Sequence, residues 1–266
     1  MAVTTANPSA TNNPQDWDEK TRRAMLATGV LFIITFVTSI PALLLYGPIL
    51  NNSDYVLTAG HDTRITFGAL LEIALVVANA GSAITLYPVM KRRTEAVAIG
   101  YVASRLFESV MIALGLIALL SVVTLRQDFG GANAADSASI VSSARALVAV
   151  HDWTFLIGPA FCAGFGNGIL LGYMMFKTGL MPRRLALLGM FGGSMAVGTA
   201  VAVLLGAYEQ TSAISFFFTV PEIIWESIIG IFLTVRALKL GRERNRSGSA
   251  QAATGEPATT GQTAAA

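Results

Sequence analysis

The chain carries no charged residue between Ala24 and Ser53. An apolar run of about 18 or more uncharged residues is long enough to cross the hydrocarbon core of a bilayer, which is about 30 Å thick. Composition agrees, because 13% of the 266 residues are charged and 53% are hydrophobic, whereas about 25% charged residues are usual in soluble domains. The sequence therefore excludes a soluble enzyme domain, a nucleic-acid binder and a disulfide scaffold, for which a single cysteine is not enough.

Six hydrophobic segments follow one another along the chain, each closed by charged or loop-forming residues. Backbone N–H and C=O groups cannot remain unpaired in hydrocarbon, so these segments are predicted to be helices. The predicted fold class is all-α, a polytopic membrane protein with a bundle of six transmembrane helices. The helices are expected at about 25–47, 65–90, 97–125, 146–176, 185–208 and 212–236.

The six helices are expected to form one domain, residues 25–240, between two tails. Both chain ends are rich in Thr, Ala, Asn, Gly and Pro, and such segments bury too little apolar surface to offset the entropy lost on ordering. Residues 1–24 and 241–266 are therefore predicted to be disordered tails.

Lysine and arginine are distributed unevenly between the two sides of the predicted membrane. Fourteen of the 18 basic residues lie in the two terminal flanks and in the second and fourth loops, whereas the alternate loops hold only Arg64, Arg126 and Arg145. Short cytoplasmic loops are the ones that carry an excess of lysine and arginine. Both termini are therefore expected in the cytoplasm.

Polar residues inside the predicted spans are the candidate functional residues, because each charge at a helix centre costs roughly 2.5–3.5 kcal/mol on insertion scales. At a rise of about 1.5 Å per residue, most of them lie about 13–21 Å from the cytoplasmic helix ends, in one layer near the bilayer midplane. Glu72 belongs to a layer nearer the outer side. The candidate ligand-binding residues are Arg105, Glu108, Glu222, Glu226, Asn79, Glu72 and Asn167.

The charges of the midplane layer do not balance. One arginine meets three glutamates, which leaves about two negative charges if all are ionised, and a low dielectric opposes this. We therefore expect a bound cation, or a proton on at least one glutamate. Two interpretations remain open: a functional polar cavity, or an inert network in which Arg105, Glu108 and Glu226 fix the register of the helices. Arg105 could also hold an anionic headgroup or a substrate carboxylate.

A weaker signal lies at the outer mouth of the fourth span, where His151 adjoins Asp152. A histidine beside a carboxylate can bind a metal or act as a base, and His61 precedes another aspartate in an outer loop. Two histidines without a fixed spacing are a poor metal motif, however. The favoured interpretation is a helix mouth exposed to water, and neither a metal site nor a cofactor is predicted.

Gly164, Gly168 and Gly172 recur every four residues in the fourth span. This pattern lets two helices approach closely, and we expect it to serve packing inside the bundle rather than an oligomer face. Pro41 and Pro159 are expected to mark kinks. Pro221 is expected to free a backbone carbonyl beside Glu222.

The chain resembles a bacterial membrane family known as domain of unknown function 4386. Four stretches carry the resemblance over about residues 25–240: LLEIALVVANAGSAITLYPVM, GYVASRLFESV, LLGYMMFKTGLMPRRLALLG and PEIIWESIIGIFL. It implies an integral protein of the bacterial cytoplasmic (plasma) membrane. It brings no reaction, ligand or catalytic residue.

Three functions compete. The first is a transporter or sensor that binds a small molecule, a proton or a cation at the midplane cluster. The second is an accessory or structural subunit with an inert ion-pair network. The third is an intramembrane lipid-modifying enzyme. The sequence favours a non-enzymatic role, because it has no nucleophile elbow and no HExxH motif. The expected partners are the lipid bilayer and a small-molecule or ion ligand, and no nucleic acid.

Overall fold

The computed structural model describes residues 17–52, 54–58, 62–130 and 134–254. Within these ranges all regular secondary structure is helical, and six helices are long and apolar enough to cross a membrane. The predicted all-α, six-span architecture is therefore confirmed. The helices are α1 (Glu19–Leu45), α2 (Thr63–Arg92), α3 (Thr94–Phe129), α4 (Ala134–Thr178), α5 (Arg183–Leu204) and α6 (Ala213–Thr254).

The helix ends differ from the predicted ones because polar caps, rather than hydropathy, set them. Asp18 accepts a hydrogen bond from the Thr21 amide and starts α1 six residues before the predicted position. Asp62 accepts from the Ile65 amide at the start of α2. Helix α5 ends at Leu204, before the predicted residue 208, and Gly206 follows it with a φ of 76° that favours glycine.

The two predicted tails need correction at their inner boundaries. Residues 19–24 are the first turns of α1, and α6 continues past residue 240 to Thr254. Trp17 is buried, its ring lies 5.1 Å from the Arg236 guanidinium carbon, and its carbonyl accepts a hydrogen bond from Arg244. The start of the chain that the structure describes is therefore packed against α6. Residues 1–16 and 255–266 lie outside the described residues, where disorder stays a prediction.

Helices α2 and α3 form an antiparallel hairpin with almost no loop. Helix α2 ends at Arg92 and α3 begins at Thr94, whose φ of −150° and ψ of 70° break the helical backbone between them. The amide of Asn79 on α2 donates to the hydroxyl of Ser109 on α3 at 3.1 Å. The predicted second loop is thus a sharp turn of a few residues between two helices.

Helix α4 is π-helical over much of its length, in two segments, Leu156–Cys162 and Gly164–Leu171. Pro159 lies in the first segment and has no N–H to donate, so α-helical hydrogen bonding is interrupted there. Such wide turns are rare, and they often occur at functional sites.

The glycines of α4 pack against α5, as the sequence predicts. A Cβ placed on Gly164 would lie 2.9 Å from the Ala196 Cβ, and one on Gly168 would lie 2.2 Å from the Gly193 Cα. Both distances are shorter than the contacts that real Cβ atoms make, so neither glycine could carry a side chain here. The four-residue glycine spacing therefore serves contact inside the bundle, where α4 and α5 touch backbone to backbone.

Two apolar clusters occupy opposite ends of the bundle. The first lies where the chain termini meet the bundle and contains Met25, Leu86, Met174 and Leu233. The second lies at the other end, under the connection between α1 and α2, and includes Ile65, Leu119 and Val122. The polar side chains described below lie between these two clusters.

A short polar network closes the second cluster. The Tyr55 hydroxyl donates to Asp62 at 3.0 Å, and Arg126 at the end of α3 contacts both side chains, at 2.9 Å and 3.2 Å. Arg126 also donates to the Thr58 carbonyl and lies over the Tyr55 ring. Burial raises the pKa of Tyr55, so its hydroxyl stays neutral and keeps its proton for Asp62.

Replacing Arg126 with alanine is expected to lower the free energy of unfolding by about 1–3 kcal/mol, because Asp62 then loses a charged partner. The thermal unfolding temperature of the purified protein in detergent measures the effect. Arg145→Ala is the matched control, since Arg145 is exposed on α4. Equal effects of the two substitutions would contradict a stabilising role of this network.

Candidate functional site: a polar layer in the middle of the bundle

Buried polar side chains from four helices lie between the two apolar clusters. Helices α2 and α3 contribute Asn79 and the Arg105–Ser109 turn, while α4 and α6 contribute asparagine and glutamate side chains. The buried members of this layer are Asn79, Arg105, Glu108, Ser109, Asn167 and Glu222. Glu226 is partly buried beside them.

Among the residues that the structure describes, Arg105 is the only arginine or lysine of this layer. Its Nη1 donates to Glu108 Oε2 at 2.7 Å, and the two side chains are 3% and 7% exposed. The i, i+3 spacing on one helix brings them together. The Phe32 ring of α1 lies 5.5 Å from the guanidinium carbon. The Nε of Arg105 has no hydrogen-bond partner among the described residues.

Glu226 on α6 is bound from the π-helical part of α4. The side-chain amide of Asn167 donates to Glu226 Oε1. The Asn167 backbone carbonyl accepts from the indole N–H of Trp225, the residue next to Glu226, at 2.8 Å. Asn167 thus contacts two neighbouring residues of α6. This double contact fixes α4 relative to α6 at the level of the ion pair.

A cavity of about 140 Å³ opens beside these groups. Its apolar wall includes Ile112 and Phe155. Its polar wall is formed by Thr35, Ser39, Asn79, Arg105, Glu108 and Glu226. Four of the seven predicted ligand-binding residues therefore line one cavity, and Asn167 touches it indirectly through Glu226.

Glu222 lies one turn from Glu226 on α6 but does not line the cavity. It is 3% exposed, and neither carboxylate oxygen has a hydrogen-bond partner among the described residues. Gly168 of α4 and Gly192 of α5 lie against it.

The electrostatics of the layer agree with the imbalance expected from the sequence. Arg105 interacts with Glu108 and Glu226, and Glu222 interacts with all three of these charges. One guanidinium therefore faces three carboxylates in a confined region. When all four groups are ionised, the layer carries two uncompensated negative charges.

Comparison with known proteins assigns the chain to a family. The sequence model of the family described as a domain of unknown function, DUF4386, matches residues 27–237. The chain belongs to the DUF4386 family. No curated protein and no solved structure matches the chain. The DUF4386 match includes every residue of the polar layer.

Glu72 does not line the cavity of this DUF4386 protein. The sequence places it in a layer nearer the outer side than the other candidate residues. The Tyr46 hydroxyl at the end of α1 donates to Glu72 Oε2 at 2.8 Å, and both residues are buried. His151 of α4 interacts electrostatically with Glu72. These groups form a second, smaller polar group toward the end of the bundle that holds Tyr55.

His151 differs from its predicted setting. It is 3% exposed, and its ring lies 4.4 Å from that of Phe155, whereas the sequence predicts a helix mouth in water. Asp152, which contacts His151 Nδ1 at 3.2 Å, is exposed as expected. Adjacent helical residues point about 100° apart, so one faces the bundle and the other faces outward. His61 lies outside the described residues.

Sequence reasoning missed several partners of the predicted residues. Ser109 follows Arg105 by four residues, so helical spacing could have identified it as a member of the same face. Thr35 and Ser39, which line the cavity, are also four residues apart, on one face of α1. Tyr46 and Trp225 carried no such signal, because their roles depend on contacts between helices that are distant in sequence.

Proposed function

We propose that this membrane protein binds a small monovalent cation or a proton at the midplane cavity and acts as a transporter or a sensor. The observation that carries the proposal is the excess of carboxylates over guanidinium beside the cavity. Buried charge without compensation is costly, and ionisable residues inside membrane spans commonly mark ion pathways. A cation beside Glu226 would supply the missing positive charge.

A cation fits this cavity better than an anion. Arg105 is the group that an anionic headgroup or carboxylate would need, and its positive charge is already balanced by the Glu108 carboxylate at 2.7 Å. The other charged group on the cavity wall is Glu226. Carboxylate, amide and hydroxyl oxygens of the polar wall are the ligand types that hard cations prefer.

The size of the cavity limits the ligand. A water molecule occupies about 30 Å³ in the liquid, so a cavity of about 140 Å³ has room for an ion with a few waters. A lipid acyl chain or a large metabolite would not fit without movement of the helices. These dimensions favour Na⁺, K⁺ or a small ammonium ion over the larger substrates of many transporters.

Sodium binding is expected to raise the thermal unfolding temperature of the purified protein. The measurement compares NaCl with N-methyl-D-glucamine chloride at equal ionic strength, because this bulky organic cation cannot enter the cavity. A ligand at about 100 times its Kd stabilises the folded state by about 2.7 kcal/mol. Substitution Glu226→Gln is expected to abolish the stabilisation, since it removes the charge that faces the cavity.

Glu243→Gln is the matched control, because Glu243 is exposed on the same helix. It should leave the sodium effect intact. KCl and NH₄Cl are measured in parallel, so that selectivity among small cations is also tested. If none of these salts stabilises the wild-type protein, or if Glu226→Gln responds as strongly as the wild type, the cavity is not a cation site.

The second candidate is an accessory subunit with an inert network, and the complete Arg105–Glu108 pair favours it. If the protein is such a subunit, NaCl, KCl and NH₄Cl should not raise its unfolding temperature specifically. No observation favours the lipid-modifying enzyme, and the described residues bring no three His, Cys, Asp or Glu side chains together as metal ligands. We further propose the bacterial cytoplasmic membrane as the location of the protein, and the positions of lysine and arginine support an orientation with both termini inside the cell.

A further inference from the structure

Glu222 occupies a closed site between three helices. A Cβ placed on Gly168 of α4 would lie 2.6 Å from Glu222 Oε2 and 2.2 Å from the Gly193 Cα of α5. A Cβ on Gly192 would lie 2.8 Å from the Glu222 backbone nitrogen. The carboxylate thus sits against glycine backbone where no side chain would fit.

Both oxygens of this carboxylate are buried without a hydrogen-bond donor among the described residues. The charged groups that interact with it are Glu226 on its own helix, and Arg105 and Glu108 on α3. Gly168 of α4 and Gly192 of α5, which lie against Glu222, carry no charge and no side-chain donor. An ionised carboxylate at this position would lack both solvation and a bonded counter-ion.

We propose that Glu222 is a proton-binding site, held as a neutral carboxylic acid while the cavity is empty, and that a cation beside Glu226 releases this proton to water. Glu222 and Glu226 are four residues apart and share one helix face. The negative charge of Glu226 therefore favours the proton on Glu222. A cation bound to Glu226 cancels that charge and places near Glu222 a positive charge that the ionised carboxylate otherwise lacks. By linkage, the proton weakens cation binding equally.

Only the coupling between the two sites rests on the proposed function. Protonation of Glu222 follows from its own surroundings and stands without any cation. The two carboxylates differ in access, because Glu226 lines the cavity and Glu222 is closed off by glycines. The cation is therefore assigned to Glu226, and the proton to Glu222, one turn away on the same helix.

Infrared spectra of the full chain reconstituted in lipid test the protonation. A neutral carboxylic acid has a carbonyl stretch well separated from those of ionised carboxylates and amides. Wild-type protein in choline buffer at neutral pH is expected to show a band that Glu222→Gln loses. Glu243→Gln, with its exposed side chain, should retain that band. An unchanged band in Glu222→Gln would overturn the proton site.

Sodium addition tests the coupling. In the wild type it should diminish the carboxylic acid band and release about one proton per bound ion into a weakly buffered solution. The apparent sodium affinity, from unfolding temperatures, should then change about tenfold per pH unit. In Glu222→Gln it should be independent of pH. Sodium binding without proton release in the wild type would overturn the coupling, and this measurement needs no variant.

The outcomes separate the two proposals. If no cation stabilises the wild type but the band disappears in Glu222→Gln, the cation-binding function fails and the proton site stands. If cations bind with the same pH dependence in Glu222→Gln as in the wild type, the function stands and the coupling to Glu222 fails.

Discussion

Replacement of Arg105 by methionine is expected to lower the free energy of unfolding by about 3–5 kcal/mol, because removing one partner of a buried ion pair leaves an uncompensated charge. The Glu108 side chain, which is 7% exposed, would lose the guanidinium at 2.7 Å. Unfolding in mixed micelles containing increasing sodium dodecyl sulfate measures the loss. It should be larger at pH 8 than at pH 5, where protons neutralise the carboxylates that Arg105 no longer balances.

A double variant, Arg105→Met with Glu108→Leu, provides the control for this result. Well-packed apolar residues often replace a buried ion pair at little or no cost. The double variant should therefore recover most of the stability that Arg105→Met loses. If the single variant is as stable as the wild type at both pH values, the ion pair contributes nothing to the fold.

Gly193→Ala is expected to destabilise the bundle strongly, because the added methyl group has no space. Its Cβ would lie 2.3 Å from the Gly164 carbonyl oxygen and 2.6 Å from the Gly168 Cα, so two backbones must separate. Overpacking of this kind typically costs about 1–3 kcal/mol and occasionally more. Separation of α4 from α5 would also disturb the closed surroundings of Glu222. The expected result is a lower unfolding temperature and reduced yield of folded protein.

Gly198→Ala, on the same helix, should have the opposite effect. Nothing lies within 4 Å of a Cβ placed there, and alanine in a helix interior is favoured over glycine by roughly 0.5–1 kcal/mol. The pair separates the close approach at Gly193 from the general effect of removing glycine from α5. Equal losses from the two substitutions would contradict a specific contact at Gly193.

Hydropathy and helical rise were enough to predict the six spans and the shared depth of Arg105, Glu108 and Glu226. Both properties are local, since each span is recognised by its own residues and depth is counted along one helix. The helix ends were less well predicted. The cap made by Asp18 and the packing of Trp17 on α6 depend on individual side chains within a polar flank.

The environments of Glu222 and His151 could not be predicted in the same way. Glu222 shares a face with Glu226, yet only the approach of α4 and α5 closes its surroundings. His151 looked exposed because it adjoins Asp152, whereas the face of α4 that carries His151 is turned into the bundle, where the residue is 3% exposed. The surroundings of both residues depend on how one helix is rotated relative to its neighbours. The sequence of a single helix does not specify that rotation.

The π-helical bonding of α4 has a consequence for how this bundle can move. An α-helix turns by about 100° per residue, so a return of 164–171 to α-helical bonding would rotate the residues beyond it by a comparable angle. Asn167 would then leave Glu226, and Trp225 would lose its carbonyl acceptor. A change of hydrogen-bond register within one helix could thus detach α4 from α6 without any hinge in the loops.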